Sequence, residues 1–186
     1  MAVPTAHSTL LYTLGRGIVS IGEWSGATPP AGGAYYDVGN SPAFSVEVTE
    51  ETLEHFSYRS GTRTKDKEVS LETGYTVSFQ LDEPSVKNMK NFLKATLTGE
   101  NVLNANQNLN QEFALKFVSD NPSGPNQKWE FWRCKLSPYG ALSLIADEWL
   151  VMSFTAEGLA DTDNHPTSQH FSVTFATTTT TTTTST

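Results

Sequence analysis

The sequence predicts a mainly β domain, two packed antiparallel sheets in a sandwich or partly closed barrel with one flanking α-helix, an extended loop and terminal arms. Three observations predict it. Segments that alternate apolar and polar residues recur along the chain, one of them runs unusually far, and helical spacing appears once, directly after that long segment. With 186 residues the chain fits one domain with arms and can bury a sizeable core.

Residues 1–15 read as an N-terminal arm, residues 16–176 as the domain and residues 177–186 as a threonine-rich flexible tail. Gly17 to Ile21 is a short apolar strand. Gly26 to Gly33 is too rich in glycine and proline for regular structure, and Ala34 to Val38 is a second short strand. From Pro42 to Thr49, Phe44, Val46 and Val48 alternate with Ser45, Glu47 and Thr49. After a charged segment, Val69, Leu71, Thr73, Tyr75, Val77, Phe79 and Leu81 alternate with Ser70, Glu72, Gly74, Thr76, Ser78 and Gln80. At roughly 3.4 Å per residue that strand reaches about 40 Å, more than a small domain needs for its own core.

A helix is predicted over 84–98. Pro84 stands near its start, Asp82 and Glu83 suit its amino end, Val86, Met89, Leu93 and Leu97 recur at helical spacing, and Gly99 can close it. Downstream, Phe113, Leu115 and Phe117 mark a strand, and Asn121 to Asn126 is a turn-rich link to Lys128–Leu136, giving a hairpin. Trp129 to Leu136 is apolar on both faces, which calls for a strand covered on both sides or carrying a bulge. Trp149 to Phe154 reads the same way, and Phe171, Val173 and Phe175 form the last strand.

The formal charge is −8, unevenly spread: −5 over residues 1–58, +2 over 59–68 and −5 over 69–186. An acidic body with one mildly basic segment argues against sequence-independent nucleic-acid binding, which needs a basic footprint on phosphates, and leaves open a role near DNA that depends on repulsion. Cys134 is the single cysteine, so no intrachain disulfide forms, and it reads as a buried core residue. The start Met1-Ala2-Val3-Pro4 has no basic, then apolar, secretory pattern, and no apolar span approaches the roughly twenty residues of a membrane helix. A soluble protein made in the cytoplasm is expected.

Chemical motifs are sparse. Asp161-x-Asp163-x-His165 has the residue types of a metal site, but no second cluster supplies further ligands, so no metal and no cofactor are expected. Glu50, Glu51, Glu54 and His55 have the types for acid–base work but read as surface or interface charge at the end of a strand. Gly22-Glu23-Trp24-Ser25-Gly26 misses the nucleophile elbow for want of a glycine two before the serine. Phosphate-binding loops, dinucleotide fingerprints and His-Glu-x-x-His are absent, and no enzymatic activity is expected.

The order of features carries a resemblance. A short early strand, the turn Asp37-Val38-Gly39-Asn40, a strand ending in Thr49-Glu50-Glu51-Thr52-Leu53-Glu54-His55, the loop Tyr58-Arg59-Ser60-Gly61, the long amphipathic strand and the helix together resemble the major tail tube protein of long-tailed, non-contractile bacteriophages, over roughly Gly15 to Phe175. The resemblance implies a virion structural subunit, assembled in the host cytoplasm, that stacks as hexameric rings into a hollow tube. Tape-measure, terminator and tip proteins would be its partners, and double-stranded DNA would pass through the lumen without specific binding. It makes residues 50–68 an inter-ring loop, with Glu50, Glu51, Glu54, Arg59, Arg63, Lys65, Asp66 and Lys67 as contact candidates; a solvated surface loop has the same composition. It makes Ser45, Glu47, Thr49, Ser70, Glu72, Thr76, Ser78 and Gln80 lumen-facing candidates, with Glu47 and Glu72 repelling phosphates; the solvent face of a monomer predicts the same alternation. A secretion-system tube protein shares this logic. The competing class is a β-sandwich ligand- or carbohydrate-binding module using Trp24, Tyr35, Tyr36, Trp129 or Trp132, with Tyr35-Tyr36 beside Gly32-Gly33 its best support.

Overall fold

The computed structural model describes residues 11–59, 61–122 and 124–176. The threonine tail and residues 1–10 of the expected arm lie outside them. In chain order the elements are β1 (Gly17–Glu23), β2 (Tyr36–Asp37), β3 (Ala43–Ser57), β4 (Thr64–Leu81), α1 (Val86–Phe92), β5 (Thr96–Thr98), β6 (Val102–Asn104), β7 (Phe113–Ser119), β8 (Gln127–Pro138), β9 (Met152–Gly158) and β10 (Phe171–Phe175). The mainly β class with one helix among the described residues is as the sequence predicts.

One antiparallel sheet runs β2-β1-β7-β8-β9-β4-β3, with β10 also paired to β8; β5 and β6 form a separate two-stranded sheet. The long strand β8 organises the large sheet. Along one edge it pairs with β7, while its other edge serves β10 over Gln127–Phe131 and β9 over Cys134–Pro138. Opposite β7 the register shifts: Leu115 pairs with Phe131 but Phe113 pairs with Cys134, so β8 carries an extra residue. A bulge flips the alternation and bends its strand. Phe131 and Cys134 therefore both point into the core, which accounts for a segment whose sequence is apolar on both faces.

The sheet folds back on itself at this bend. Phe44 of β3 stacks on Phe117 of β7 with ring centroids 5.1 Å apart, so the strand at one end of the sheet covers the layer near the other. The two layers of the sandwich are thus halves of one continuous sheet. Between them Phe79 stacks on Phe154 at 5.0 Å, Tyr75 tilts against Phe131 at 5.3 Å, and Phe92 of α1 meets Phe154 edge-on at 5.5 Å.

Bulged carbonyls lose ladder partners and need others. The Trp132 carbonyl accepts from Trp24 Nε1 at 2.9 Å. The Arg133 carbonyl accepts from the Tyr75 hydroxyl at 2.8 Å and from the Leu159 amide at 2.9 Å. Gly158 leaves room for this: a Cβ there would lie 2.3 Å from the Tyr75 ring. Burial pushes the Tyr75 hydroxyl well above its ordinary value, so it stays a donor at any physiological pH.

The helix is shorter than the predicted 84–98. Ser85 caps it by accepting from the Asn88 amide at 3.2 Å, and Asn88 Nδ2 donates to the carbonyls of Val38 and Glu83, tying α1 to the end of β2 and to its own entry loop. The helix stops at Phe92 because Lys94 takes a left-handed φ of 47°, which turns the chain into β5. Gly99, at φ 64°, closes the β5–β6 hairpin rather than the helix. Val86 and Leu97, assigned by spacing to the buried stripe, are exposed; Met89, Phe92 and Leu93 do the packing.

Asp161 shapes the link from β9 to β10. It is buried and accepts from Asn164 Nδ2 at 2.8 Å, and its other oxygen lies 2.7 Å from His165 Nδ1. The His165 ring stacks on Trp132, 3.8 Å between centroids, so this loop is fastened to the bulge as well. Burial raises the Asp161 carboxyl, but the hydrogen bonds from Asn164 and His165 outweigh it and leave it below the ordinary carboxylate range.

Three substitutions probe the bulge and its loop. Tyr75→Phe should cost about 1 kcal/mol in urea unfolding, because the Arg133 carbonyl keeps Leu159, while Gly158→Ala should cost about 1–3 kcal/mol by driving a methyl into the Tyr75 ring. Since the folded state lowers the Asp161 pKa, its contribution is present above the unfolded value of about 3.9 and is lost as pH falls through the folded one. Thermal melts of Asp161→Asn should therefore lose less stability than the parent chain between about pH 4 and pH 2; parallel curves would remove Asp161 from the acid response.

Candidate assembly surface

The β3–β4 hairpin belongs to the body at one end and to solvent at the other. Tyr75, Val77, Phe79 and Leu81 are buried and Phe44 and Val46 pack against them, yet from Glu47 to His55 on β3 and from Thr64 to Thr73 on β4 every side chain is exposed. With 15 and 18 residues in its strands, the hairpin extends an arm of roughly 30 Å beyond the core. The segment 50–68, expected as a loop, is mostly this arm: Glu50–Ser57 continue β3 and Thr64–Glu68 begin β4. Its charged residues disguise a strand because they satisfy one another across the ladder. Lys65 pairs with Glu54 at 2.7 Å and also with Glu68, His55 Nδ1 lies 2.6 Å from Asp66, Ser70 donates to Glu50, and the Arg63 guanidinium sits 3.8 Å above the Phe56 ring.

Two register shifts divide the arm from the body. Glu51 pairs with Glu72 but Thr52 with Ser70, which leaves Leu71 extra on β4; His55 pairs with Lys67 but Phe56 with Lys65, which leaves Asp66 extra. Paired residues share a face, so the first shift reverses the outlook of β4 beyond it. Val69 therefore shares a face with Leu53 and not with Tyr75, contrary to the unbroken alternation in the sequence. Ser70 likewise leaves the face of Glu72, Thr76, Ser78 and Gln80 and joins that of Thr52 and Glu50.

The remaining lumen candidates lie together. Ser45, Glu47 and Thr49 pair with Ser78, Thr76 and Gly74, and Glu51 with Glu72, all on the face away from the core. β9 extends it with Ser153, Thr155 and Glu157 opposite Gln80, Ser78 and Thr76, and β8 adds Lys135 opposite Glu157. The sequence signal for these was the alternation of Ser153, Thr155 and Glu157 with Met152, Phe154 and Ala156. The inter-ring candidates do not form one cluster. Glu50, Glu54 and Lys65 share one face, Glu51 and Lys67 the other, Asp66 is an extra bulge residue, and Arg59 and Arg63 stand at the turn.

Trp149 to Val151, expected as the start of a strand through Phe154, belong instead to a loop that ends where β9 begins at Met152. Residues 139–151, between β8 and β9, have no regular structure: Leu142 and Leu150 pack on the core, while Ile145 is 96% exposed and Trp149 92%. Asp147 and Glu148 lie beside them.

Enzyme-like and platform-like readings find little support in the geometry. A cleft of about 300 Å³ between Gly15–Gly17 and Asn40–Phe44 has Arg16 as its one ionisable side chain. Cys134 is fully buried against the Phe113 carbonyl at 3.3 Å, and burial first, then Glu112, pushes its thiol pKa far up, which disables it as a nucleophile. Both Asp161 oxygens are engaged by Asn164 and His165, and no described group of histidine, cysteine and carboxylates is arranged to hold a metal. Tyr35 and Tyr36 do not form an open platform. Lys116 Nζ covers the Tyr35 ring at 3.8 Å and Lys87 Nζ the Tyr36 ring at 4.8 Å, while Asn91 donates to the Tyr36 hydroxyl. Trp24 is buried on the β8 bulge. No helix among the described residues is long and apolar enough to cross a membrane.

Residues 12–103, just short of half the chain, match a family described as "Protein of unknown function UCP028589". No curated protein matches. Among solved structures, a chain of the anti-feeding prophage cap, the AFP tube terminating cap, is similar over 95% of this chain and 95% of its own at 14% identity and a TM-score of 0.44. A chain of an extracellular contractile injection system, the PVC sheath-tube complex in its extended state, is similar over 87% of this chain and 89% of its own at 12% identity and a TM-score of 0.40. Scores below 0.5 fix neither a common fold nor a role.

Proposed function

We propose that this chain is a non-enzymatic structural subunit that self-assembles, as stacked hexameric rings, into a tail-like tube of a virion, with the polar face of β3, β4 and β9 turned to a lumen through which DNA passes. The observation that carries the reading is the arm. Val48, Leu53, Val69 and Leu71 are all exposed on a ribbon that covers nothing in its own subunit. Apolar side chains held out on a long ladder find their packing in another molecule. The lumen assignment is supported by Glu47, Glu51, Glu72 and Glu157 on one polar face, against Lys135 and, further out on the arm, Lys67. Repeated around a ring, that face repels phosphates and lets a polyanion slide. Tubes of long non-contractile tails and of secretion systems share this subunit chemistry, and a neighbouring tape-measure gene separates them.

Negative-stain electron microscopy of the purified chain should show rings and hollow tubes, and a strictly monomeric particle at high concentration would sink the proposal. Replacing Glu51–Glu72 with an Asn-Gly turn between Glu50 and Thr73 should leave the body folded, with rings that no longer stack; tubes of normal length from this variant would refute an inter-ring role for the arm.

A further inference from the structure

We infer that the receiving surface for the arm is the 139–151 loop of the next copy, where Ile145 and Trp149 supply apolar contact and Asp147 and Glu148 supply charge. This rests on the tube reading above and assigns the partner surface that reading leaves open.

Topology gives the first support. β9 runs antiparallel to β4 with Met152 opposite Leu81, and β8 ends with Pro138 opposite Phe154, so the loop between them emerges at the Leu81 end of the sheet. The arm's turn lies at the other end of the same two strands, beyond Ser57 and Thr64. Donor and receptor thus sit at opposite poles of one subunit. A contact between unlike patches at opposite poles is heterologous and, repeated along the strand direction, does not close on itself but propagates as a filament.

Chemistry gives the second support. Leu53 and Val69 face outward together on the arm, next to the paired His55 and Lys67. Lys65 is already neutralised by Glu54 and Glu68, whereas among the described residues Arg59 and Lys67 make no ion pair, and Arg63 is stacked on Phe56 without a carboxylate. The loop offers the opposite sign, with Asp147 and Glu148 its only charged residues. Its exposed side chains are not a folding accident, since Leu142 and Leu150 anchor the segment on the core and so hold Ile145 and Trp149 out. Apolar against apolar sets the contact, and basic tip against acidic loop sets its polarity along the tube.

Cysteines placed at Arg63 and Ala146 of one chain test it, because Cys134 is fully buried and stays out of the reaction. Mild oxidation of preformed tubes should give a ladder of cross-linked chains, and either single variant should give at most dimers. In parallel, Ile145→Ser with Trp149→Ala should leave the thermal melt of the free subunit unchanged, keep rings, and raise the concentration needed for tubes roughly tenfold or more. Asp147→Lys with Glu148→Lys should block stacking, and adding Arg63→Glu with Lys67→Glu should restore it. Tubes without a ladder, or stacking indifferent to both loop variants, overturn this pairing while the tube reading stands. A parent chain that forms neither rings nor tubes overturns both.

Discussion

The extra residue in β8 is the constraint on which the rest of the molecule depends. A regular strand through Trp132 and Arg133 would send Phe131 and Cys134 to opposite faces, and one strand could not then serve the core on both sides of the bend. The bulge resolves this at the cost of backbone groups without ladder partners. Trp24 from the β1 side and Tyr75 from the opposite layer supply them, so two distant parts of the chain are recruited to one irregularity. His165, stacked on Trp132 and held by Asp161, closes the same point from the β9–β10 link. Because fold-back, layer spacing and loop placement meet there, the polar face of β3, β4 and β9 is set by interactions on the other side of the sheet.

From this follows an unequal distribution of stability along two strands. The inner half of β4 is held by the full burial of Tyr75, Val77, Phe79 and Leu81 and that of β3 by the half-buried Phe44 and Val46 packed on the core, whereas their outer halves have a backbone ladder and exposed ion pairs that contribute little each. Glu51 and Glu72 even face each other directly at the boundary, with no ion pair to either among the described residues. A rigid root and a soft tip suit the inter-subunit role proposed for the arm: the root would fix direction and the tip adapt.

Much of this was legible in the residues, and what was not has physical reasons. The apolar run on both faces of Trp129–Leu136 left a strand covered on both sides or a bulge, of which the structure has the bulge; Cys134 read as core, and the Phe113 and Lys128 segments read as a hairpin. The shift at Leu71 could not be read, because Val69, Leu71, Thr73 and Tyr75 alternate without a break whichever residue is left unpaired; register belongs to the pair of strands. Glu50–Glu68 hid a ribbon because its charges mimic a loop while pairing across it. Trp149 passed for strand core because hydrophobicity alone does not tell a buried side chain from one held out on a loop. Leu97 extended the helix on paper, but the left-handed turn at Lys94 leaves no signal in periodicity.

The arm's missing core has a kinetic consequence. An isolated two-stranded ribbon is marginal in water, so in a free subunit the outer half opens and closes without unfolding the body. In the proposed tube, two free subunits that meet would each have to order an arm for a single contact, whereas a subunit joining a completed end would dock on surfaces already in place. Spontaneous initiation is then slow and elongation fast, as in any chain with a costly nucleus. Polymer would appear where a seed exists, and the number of seeds would set how much of the subunit pool is drawn into tubes.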